Sequence, residues 1–340
     1  MGTGYSIAAY IQWKIEGGNS YGHAGYVSAK KEWKDPDLVT HVLPKEGTNI
    51  VITGANAGLG YSATKRFAEL GYTVHMLCRN PERGEKARKI ILDDLKIPEE
   101  KLIVHTVDLS SRQSVRDWVT NSATSISHIN AYIHNAGVML ESPTTTDEGS
   151  EVTVSTMLCG SHLLVSLIQD KIASVKGRII NVSSGGQYLA RLETTDLEGK
   201  NEGKYDGTFR YARVKRMQVA LTEKWAKVLA PANIGVYSMH PGWADSPGFQ
   251  SSMPEFYDEN KKTVRSSEEG ADTMVWLAIS TEVGMDQSGK FFLDRNVVRK
   301  WMPLSCTKYS DEDVEQLWKS ATTYCQCEKE ISELQLKYKS

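Results

Sequence analysis

Cysteine is scarce in this 340-residue chain, and the five cysteines suggest neither a disulfide framework nor a zinc site. Their number is odd, and Cys78, Cys159 and Cys306 are scattered, which is typical of a reducing compartment. Cys325 and Cys327 are too close together, with no second pair, for zinc coordination. The eight histidines show no H-E-x-x-H spacing. We therefore expect no metal and a cytoplasmic location.

Long apolar runs and an excess of charge of one sign are also absent. No uninterrupted stretch reaches the roughly 18 apolar residues that a membrane-spanning helix needs. Forty basic residues against 42 acidic ones give no support for a nucleic-acid partner. The stretch 5–15 is interrupted by Gln12 and Lys14 and lacks the basic start of a signal peptide. We expect this stretch to pack on its own domain, with peripheral contact to a membrane surface as the alternative.

Strand-like and helix-like patterns alternate from residue 49 onward. The predicted strands are 50–53, 73–77, 102–106, 131–134, 178–182, 234–239 and 290–293. The predicted helices between them are 60–70, 82–96, 112–126, 148–174, 211–230 and 267–280. This alternation predicts a Rossmann-type α/β fold, in which a doubly wound parallel sheet of about seven strands has helices on both faces.

Glycines 54, 58 and 60 follow the first predicted strand and open the first helix of that series. Glycine lets a backbone approach a ligand closely, and the free N–H groups of a first helical turn attract anions. The spacing G-x-x-x-G-x-G in this strand–turn–helix context predicts a phosphate cradle at Gly54, Gly58 and Gly60. A glycine-rich turn without a ligand is the alternative.

The second predicted strand ends at Cys78 and Arg79. An NAD site in this fold usually has an acidic residue near this point, which bonds the ribose 2′-hydroxyl. A cation suits a 2′-phosphate, so Arg79 predicts NADP(H) as the preferred cofactor, with NAD(H) as the second choice. A solvated arginine with no ligand is the alternative.

Asp108 and Leu109 follow the third predicted strand, where a cofactor's adenine is expected. The Asp108 carboxylate is placed either to meet the adenine amino group or to cap the next helix, for which Ser110 and Ser111 compete.

Asn135, Ala136 and Gly137 follow the fourth predicted strand. Small residues there let the backbone pass close to a cofactor ribose. An ordinary turn at a strand end is the alternative.

Tyr211 and Lys215 are four residues apart on a predicted helix, so their side chains share one face. A phenol is a poor acid or base near pH 7, and a neighbouring ammonium favours the phenolate and lowers the pKa of the phenol. Such a pair is common on helix surfaces without a catalytic role. It gains weight from Ser183 and Ser184, which end the predicted strand 178–182. A hydroxyl there can hydrogen-bond a substrate oxygen while Tyr211 transfers the proton.

Together these motifs resemble the short-chain dehydrogenase/reductases over residues 49–295. The resemblance rests on T-G-x-x-x-G-x-G at 53–60, N-A-G at 135–137, the serine-ended fifth strand, Y-x-x-x-K at 211–215 and Pro-Gly at 241–242. It implies that Ser184 is the catalytic serine and Ser183 structural. It also implies that Tyr211 is the general acid/base and that Lys215 binds the nicotinamide ribose as well. Further cofactor positions that the resemblance implies are Gly54, Asn56, Leu59, Asn135, Pro241 and Gly242.

Met157 departs from the family pattern. The family has an asparagine three residues before a glycine on this helix, and with Gly160 as the glycine, Met157 stands in its place. The asparagine bends the helix and holds a water that links the lysine to solvent, whereas a thioether accepts hydrogen bonds only weakly. We expect an impaired proton relay unless Ser155 or Thr156 serves instead. A tolerated core methionine is the alternative.

The sequence predicts an NADP(H)-dependent oxidoreductase that interconverts an alcohol and a carbonyl on a small-molecule substrate. The segment 242–263 contains Trp243, Phe249 and Phe256 and is predicted to form an apolar lid. A hydrophobic substrate such as a lipid aldehyde, a retinoid or a steroid is therefore favoured. The residues 187–210 are an insertion relative to the family and are expected to form one wall of the site.

The predicted domain organisation is an N-terminal extension over 1–47, a catalytic domain over 48–295 and a C-terminal extension over 296–340. Family members often pair through the helices at 148–174 and 211–230, so a homodimer is expected unless the extensions obstruct it. The rival functional hypothesis is a cofactor-binding protein of weak activity that acts through partners. It rests on Met157 alone.

Overall fold

The computed structural model describes residues 7–303 and 305–338. Residues 5 and 6 of the N-terminal stretch therefore lie outside the described residues, as do the last two residues of the C-terminal extension. Eight strands form one sheet in the order β3-β2-β1-β4-β5-β6-β7-β8. They are β1 (Asn49–Thr53), β2 (Thr73–Cys78), β3 (Leu102–Thr106), β4 (Ala131–His134), β5 (Arg178–Val182), β6 (Gly235–Met239), β7 (Phe291–Leu293) and β8 (Asn296–Val298).

The parallel doubly wound sheet predicted from the sequence is confirmed, with one strand more than expected. All neighbours pair in parallel except β7 and β8, which form an antiparallel hairpin with Leu293 opposite Asn296. The two turn residues, Asp294 and Arg295, have φ values of 50° and 61°. Most hairpins reserve this left-handed geometry for glycine or asparagine. Buried ion pairs from Arg265 to Asp294 and from Arg295 to Asp272 hold the turn, and short-range sequence patterns do not reveal such pairs.

Thirteen α-helices are described. They are α1 (Ile7–Ser20), α2 (His23–Lys30), α3 (Gly58–Glu69), α4 (Pro81–Leu95), α5 (Arg112–Asn121), α6 (Val152–Leu158), α7 (Leu164–Ala173), α8 (Gly207–Leu229), α9 (Pro247–Ser252), α10 (Pro254–Asn260), α11 (Ser267–Ile279), α12 (Asp311–Cys325) and α13 (Glu328–Lys337). A π-helical segment, Cys159–Leu163, joins α6 to α7, so the single helix predicted over 148–174 is interrupted.

The π-helical segment has a steric and a hydrogen-bonding cause. A Cβ at Gly160 would lie 2.1 Å from the ring of His134, so the helix approaches the sheet closely at this glycine. One residue further on, the Ser161 hydroxyl donates to the Met157 carbonyl at 2.7 Å. Such bulges are frequent at functional sites. The helix therefore bends beside Met157 even though the asparagine of the family pattern is missing.

Two apolar layers cover the sheet, one on each face. Buried side chains of α3, α4 and α11 pack on one face, whereas those of α5, α6, α7, α8 and α12 pack on the other. A third cluster lies at the carboxyl end of the sheet and includes Ala9 and Trp13 of α1, Leu189 and Trp243. The first helix therefore packs on its own domain, next to the strand ends.

One helix in the described part of the chain, Val152–Ala173, is long and apolar enough to cross a membrane by length and composition. Most of it is buried inside the protein, between the sheet and the helices α8 and α12. That position is the one expected of a core helix.

Candidate active site

The turn between β1 and α3 has a backbone that requires glycine at two positions. Gly54 has a φ of 65°, in the left-handed region that favours glycine. A Cβ at Gly60 would lie 2.2 Å from the Gly54 carbonyl oxygen and 2.5 Å from the Asn135 amide nitrogen. Asn135, which the sequence assigns to the cofactor, contacts this turn, because its Nδ2 donates to the Thr53 carbonyl at 2.9 Å. The turn is thus locked to the end of β4.

The N-terminus of α3 fits a phosphate group. Its N-cap residue, Ala57, provides no side-chain cap, whereas α4, α5, α8 and α11 each have one. Gly58 and Leu59, in the first turn of α3, line a cleft at the carboxyl end of the sheet. Uncapped first-turn N–H groups attract anions, so these residues fit the pyrophosphate of a dinucleotide.

This cleft has a volume of about 610 Å³ and extends from the glycine turn to the aromatic side chains of α1 and α9–α10. The sequence-predicted cofactor residues that line it are Gly54, Asn56, Gly58, Leu59, Arg79, Asp108, Leu109, Asn135, Ala136, Gly137, Tyr211, Lys215, Pro241 and Gly242. Gly60 does not line the cleft and instead lies under the turn, against Gly54. All three predicted catalytic residues, Ser184, Tyr211 and Lys215, line the same cleft.

Arg79 and Asp108 lie at the end of the cleft where the sequence places the adenosine. The Arg79 side chain is exposed and makes no hydrogen bond or ion pair with any residue that the structure describes. Asp108 Oδ1 accepts from both the backbone and the hydroxyl of Ser110, at 2.8 and 2.7 Å. The cap of α5 is Ser111, whose hydroxyl accepts from the Ser114 amide. Asp108 therefore does not cap the helix, and it lines the cleft.

Ser184 and Tyr211 both line the cleft, and the Ser184 hydroxyl lies close enough to the Tyr211 phenol to lower its pKa. Ser184 lies at the end of β5, where its hydroxyl also accepts from the Gly186 amide at 3.1 Å. Ser183 is buried, and its hydroxyl donates to the Lys215 backbone carbonyl at 2.9 Å. The structure thus separates the two serines, one facing the phenol and the other anchoring α8 to β5.

The pKa of Tyr211 differs from the sequence-based expectation. Burial raises the pKa of Tyr211 to about 12, and the nearby Ser184 hydroxyl offsets only part of this increase. Lys215 does not lower the pKa of Tyr211. The Lys215 ammonium donates to the Val182 carbonyl at 2.6 Å and lies 5.3 Å from the centre of the Tyr211 ring. Burial also lowers the pKa of Lys215 to about 7, so the ammonium is only partly charged at neutral pH. The expectation of a lowered phenol pKa was wrong for the protein without cofactor.

Met157 lies beside Tyr211 and Lys215. A Cβ built on Gly137 would lie 3.3 Å from Met157 Sδ, 3.5 Å from Lys215 Nζ and 3.8 Å from the Tyr211 ring, so these three side chains surround Gly137. Ser155, suggested as a substitute relay, instead bonds the Tyr324 hydroxyl at 3.0 Å.

Thr156, the other suggested substitute, lines the cleft. Within the described residues neither Ser155 nor Thr156 bonds Lys215. That position is taken by Gln218, whose Oε1 accepts from Lys215 Nζ at 3.1 Å. Sequence reasoning missed Gln218, although 211, 215 and 218 share one helical face.

The other end of the cleft is aromatic. The Trp13 ring of α1 lies 5.5 Å from that of Trp243 and 5.7 Å from that of Phe256. Phe249 of α9 packs 6.0 Å from Phe256. From the inserted residues, Leu189 lines the cleft as well. The contribution of α1 to the cleft could not be read from the sequence, because it joins residues more than 200 positions apart.

Comparison with known proteins supports one family. A family model described as short chain dehydrogenase matches residues 48–195. Dehydrogenase/reductase SDR family member 12 from Homo sapiens is 36% identical over 313 residues, which are 92% of this chain and 96% of that protein. Retinol dehydrogenase 11 from Homo sapiens is 29% identical over 263 residues, which are 76% of this chain and 81% of that protein.

A solved structure supports the fold. The 3-ketoacyl-(acyl-carrier-protein) reductase from Brucella melitensis complexed with NADH superposes with a TM-score of 0.55 at 22% identity, and the match covers 71% of this chain and 96% of that one. The likeness to the family member 12 protein extends over nearly the whole chain. The chain therefore belongs to the short-chain dehydrogenase/reductase family, whose members bind NAD(P)(H), and is an oxidoreductase that acts on an alcohol or a carbonyl.

Proposed function

We propose that the protein is an NADP(H)-dependent reductase or dehydrogenase in which Tyr211 transfers the oxygen-bound proton. The observation that carries this proposal is that Ser184, Tyr211 and Lys215 line one cleft, with Lys215 Nζ 5.3 Å from the centre of the Tyr211 ring. The bound nicotinamide supplies or accepts the hydride. Ser184 orients and polarises the substrate oxygen, and Tyr211 gives that oxygen a proton in reduction or takes one in oxidation. Lys215 holds the nicotinamide ribose.

The high pKa of Tyr211 agrees with the reductive direction. A phenol whose pKa is about 12 is protonated near pH 7 and is ready to act as an acid. Oxidation requires the phenolate, which a charged Lys215 stabilises. Tyr211 is therefore in the protonation state that carbonyl reduction requires.

The preference for NADP(H) rests on Arg79. Its guanidinium lies at the cleft, is exposed and has no partner among the described residues. An arginine in that state is available to bind a 2′-phosphate through charge-assisted hydrogen bonds. Where the family has an acidic residue for NAD, the corresponding segment here ends in Cys78 and Arg79.

The substrate that we propose is hydrophobic. Trp13, Leu189, Trp243, Phe249 and Phe256 line the end of the cleft beyond the catalytic residues. An apolar wall favours a lipid aldehyde, a retinoid or a steroid. Two relatives named retinol dehydrogenases, at 29% identity, support a retinoid among these.

The test is NADPH consumption with a panel of apolar aldehydes and ketones. We expect turnover by the wild type and a loss of about 100-fold or more in Tyr211→Phe, since general acid catalysis contributes roughly 10² to 10⁴. Tyr205→Phe is the matched control, because Tyr205 precedes the same helix and packs against Arg210, outside the cleft. Equal rates in wild type and Tyr211→Phe would overturn the proposal.

A second candidate function is a cofactor-binding protein of weak activity, and the position of Met157 favours it. The thioether lies where the family has a hydrogen-bonding amide, close to Lys215. Under this hypothesis the wild type binds NADPH without turnover, and Met157→Asn gains activity. Turnover by the wild type that Met157→Asn does not increase would exclude it.

The C-terminal extension makes a monomer the proposed state. Trp318 of α12 packs 4.7 Å from Trp225 of α8, and Thr322 bonds His162 beside α7 at 3.0 Å. Lys337 of α13 pairs with Asp170 of α7 at 2.6 Å. The helices through which family members pair are thus covered by the chain's own terminus. Light scattering of the full chain distinguishes this monomer from the homodimer that the sequence suggested.

A further inference from the structure

Gln218 connects the catalytic lysine to the bent helix. It is fully buried on α8, one turn after Lys215. Its Oε1 accepts from Lys215 Nζ at 3.1 Å, and its Nε2 donates to the Met157 carbonyl at 3.1 Å. One side-chain amide therefore spans the space between the ammonium and α6.

The orientation of this amide follows from its two neighbours. An ammonium only donates and a backbone carbonyl only accepts. With the amide reversed, two donors would face each other at Lys215, and two acceptors would face each other at Met157. The amide oxygen therefore points at Lys215.

The Met157 carbonyl is fully used. It accepts from Gln218 Nε2 at 3.1 Å and from the Ser161 hydroxyl at 2.7 Å, and a carbonyl oxygen has two lone pairs. A water that bridges Lys215 to this carbonyl would have to displace Gln218. A neutral amide does not release its proton near pH 7, so Gln218 orients Lys215 and passes no proton to α6.

We propose that Gln218 is a positioning residue for Lys215. Gln218 takes the place that the asparagine and its water occupy in the family pattern. Its oxygen favours the charged form of the buried ammonium and keeps it aimed at the cleft. The inference rests on the proposed function, in which Lys215 supports Tyr211 and holds the cofactor ribose. It explains how the site keeps its geometry although Met157 provides no amide.

Few titratable groups face Lys215. Tyr211 lies on the same helix, and its phenol is neutral near pH 7 because burial raises its pKa to about 12. His134 approaches from β4 and is neutral as well, since burial lowers its pKa to about 3. The neutral oxygens of Gln218 and Val182 accept from the ammonium. Removing one of these acceptors lowers the pKa of Lys215 further below its ordinary value.

The test compares two substitutions with opposite expected effects. Proton donation during reduction leaves Tyr211 as a phenolate, which a charged Lys215 stabilises, so the rate of reduction falls as pH rises through the pKa of Lys215. In Gln218→Met the acceptor is lost, and we expect the rate of reduction to fall at a pH lower by about one unit or more. The kcat at pH 7.5 should then be roughly tenfold lower. The KM for the aldehyde should be unchanged. In Gln218→Glu a carboxylate faces the ammonium, and we expect the fall at a higher pH.

Ser161→Ala is the matched control. Ser161 donates to the same Met157 carbonyl but does not bond Lys215, so its pH profile is expected to match that of the wild type. A merely structural role of Gln218 would lower the melting temperature in Gln218→Met and leave the pH profile in place. That result would overturn the proposal. If Gln218→Met does not fold, Gln218→Glu decides alone, because an unmoved profile contradicts the proposal and an upward shift supports it.

Calorimetry gives a readout that does not depend on turnover. NADPH titrations in two buffers of different ionisation enthalpy count the protons taken up on binding. The 2′-phosphate also titrates at about pH 6, so the midpoint, against pH, of the part of the uptake that is absent in Lys215→Met reports the pKa of Lys215. We expect a lower midpoint in Gln218→Met than in the wild type, and equal midpoints would overturn the inference. If the wild type and Tyr211→Phe consume NADPH equally, the proposed function fails while the calorimetric midpoints still decide the role of Gln218.

Discussion

Replacing Arg79 by glutamine should separate NADPH binding from everything else that the protein does. The Arg79 side chain is exposed and has no partner among the described residues, so its removal breaks no internal contact. Surface changes of this kind alter the free energy of unfolding by less than about 0.5 kcal/mol. Any larger effect must therefore come from the cofactor.

The magnitude follows from the kind of contact that is lost. A hydrogen bond to a charged group contributes about 1.5 to 3 kcal/mol. With 1.4 kcal/mol for each factor of ten, Arg79→Gln should weaken NADPH binding by about 10-fold to 150-fold. NADH has no 2′-phosphate, so its affinity should change by less than about twofold by the same reasoning. Because Arg79 is exposed, the difference between NADPH and NADH should shrink as salt is added.

The assay is a fluorescence titration of both cofactors at low and high salt. Arg83→Gln is the matched control, since Arg83 lies in the first turn of α4, is exposed and does not line the cleft. Equal affinities of the wild type for NADPH and NADH would refute the reasoning. An Arg83→Gln variant that loses NADPH affinity as strongly as Arg79→Gln would assign the phosphate to the wrong arginine.

Three further predictions concern the glycine turn, the buried lysine and the aromatic wall. Gly60→Ala should abolish cofactor binding in fluorescence titrations, because the added Cβ would collide with the Gly54 carbonyl. Gly18 on α1 has open space around it, so Gly18→Ala should instead raise the free energy of unfolding by about 0.5 to 1 kcal/mol. Between pH 7.5 and 9.5 the free energy of unfolding of the wild type should increase by about 1.4 kcal/mol per pH unit relative to that of Lys215→Met. The reason is that Lys215 keeps its proton in the unfolded chain but has released it in the folded protein, where its pKa is about 7. Denaturation midpoints that change in parallel with pH in both proteins would contradict this. Trp13→Ala should raise the KM for long apolar aldehydes at least about tenfold, in line with a large buried aromatic contact, and leave NADPH affinity unchanged; an unchanged KM would remove α1 from the substrate site.

The sequence was informative wherever a short pattern determines the structure. Three such patterns are local: the alternating strands and helices, the glycine turn, and the pair Tyr211 and Lys215. The first forms the sheet and its helical layers, and the structure places the other two at one cleft. The hairpin between β7 and β8 could not be predicted, because its left-handed Asp294 and Arg295 depend on ion pairs with distant residues.

Burial is the other quantity that the sequence does not provide. The spacing of Tyr211 and Lys215 predicted a lowered phenol pKa, but burial raises the pKa of Tyr211 instead. Burial also lowers the pKa of Lys215, for which the sequence made no prediction. The wall formed by Trp13 also needs the fold, because only the packing of α1 on Trp243 brings it to the cleft. Helical spacing could have placed Gln218 beside Lys215. Its second partner, the Met157 carbonyl, could not be predicted because it lies on another helix.

The central claim is that Tyr211 transfers the proton in an NADPH-dependent reduction. The most direct measurement is the rate of NADPH consumption with an apolar aldehyde by wild type and Tyr211→Phe at equal cofactor saturation. The account predicts turnover by the wild type, a loss of about 100-fold or more in Tyr211→Phe and the same NADPH affinity in both. A Tyr211→Phe variant that retains the wild-type rate would contradict it.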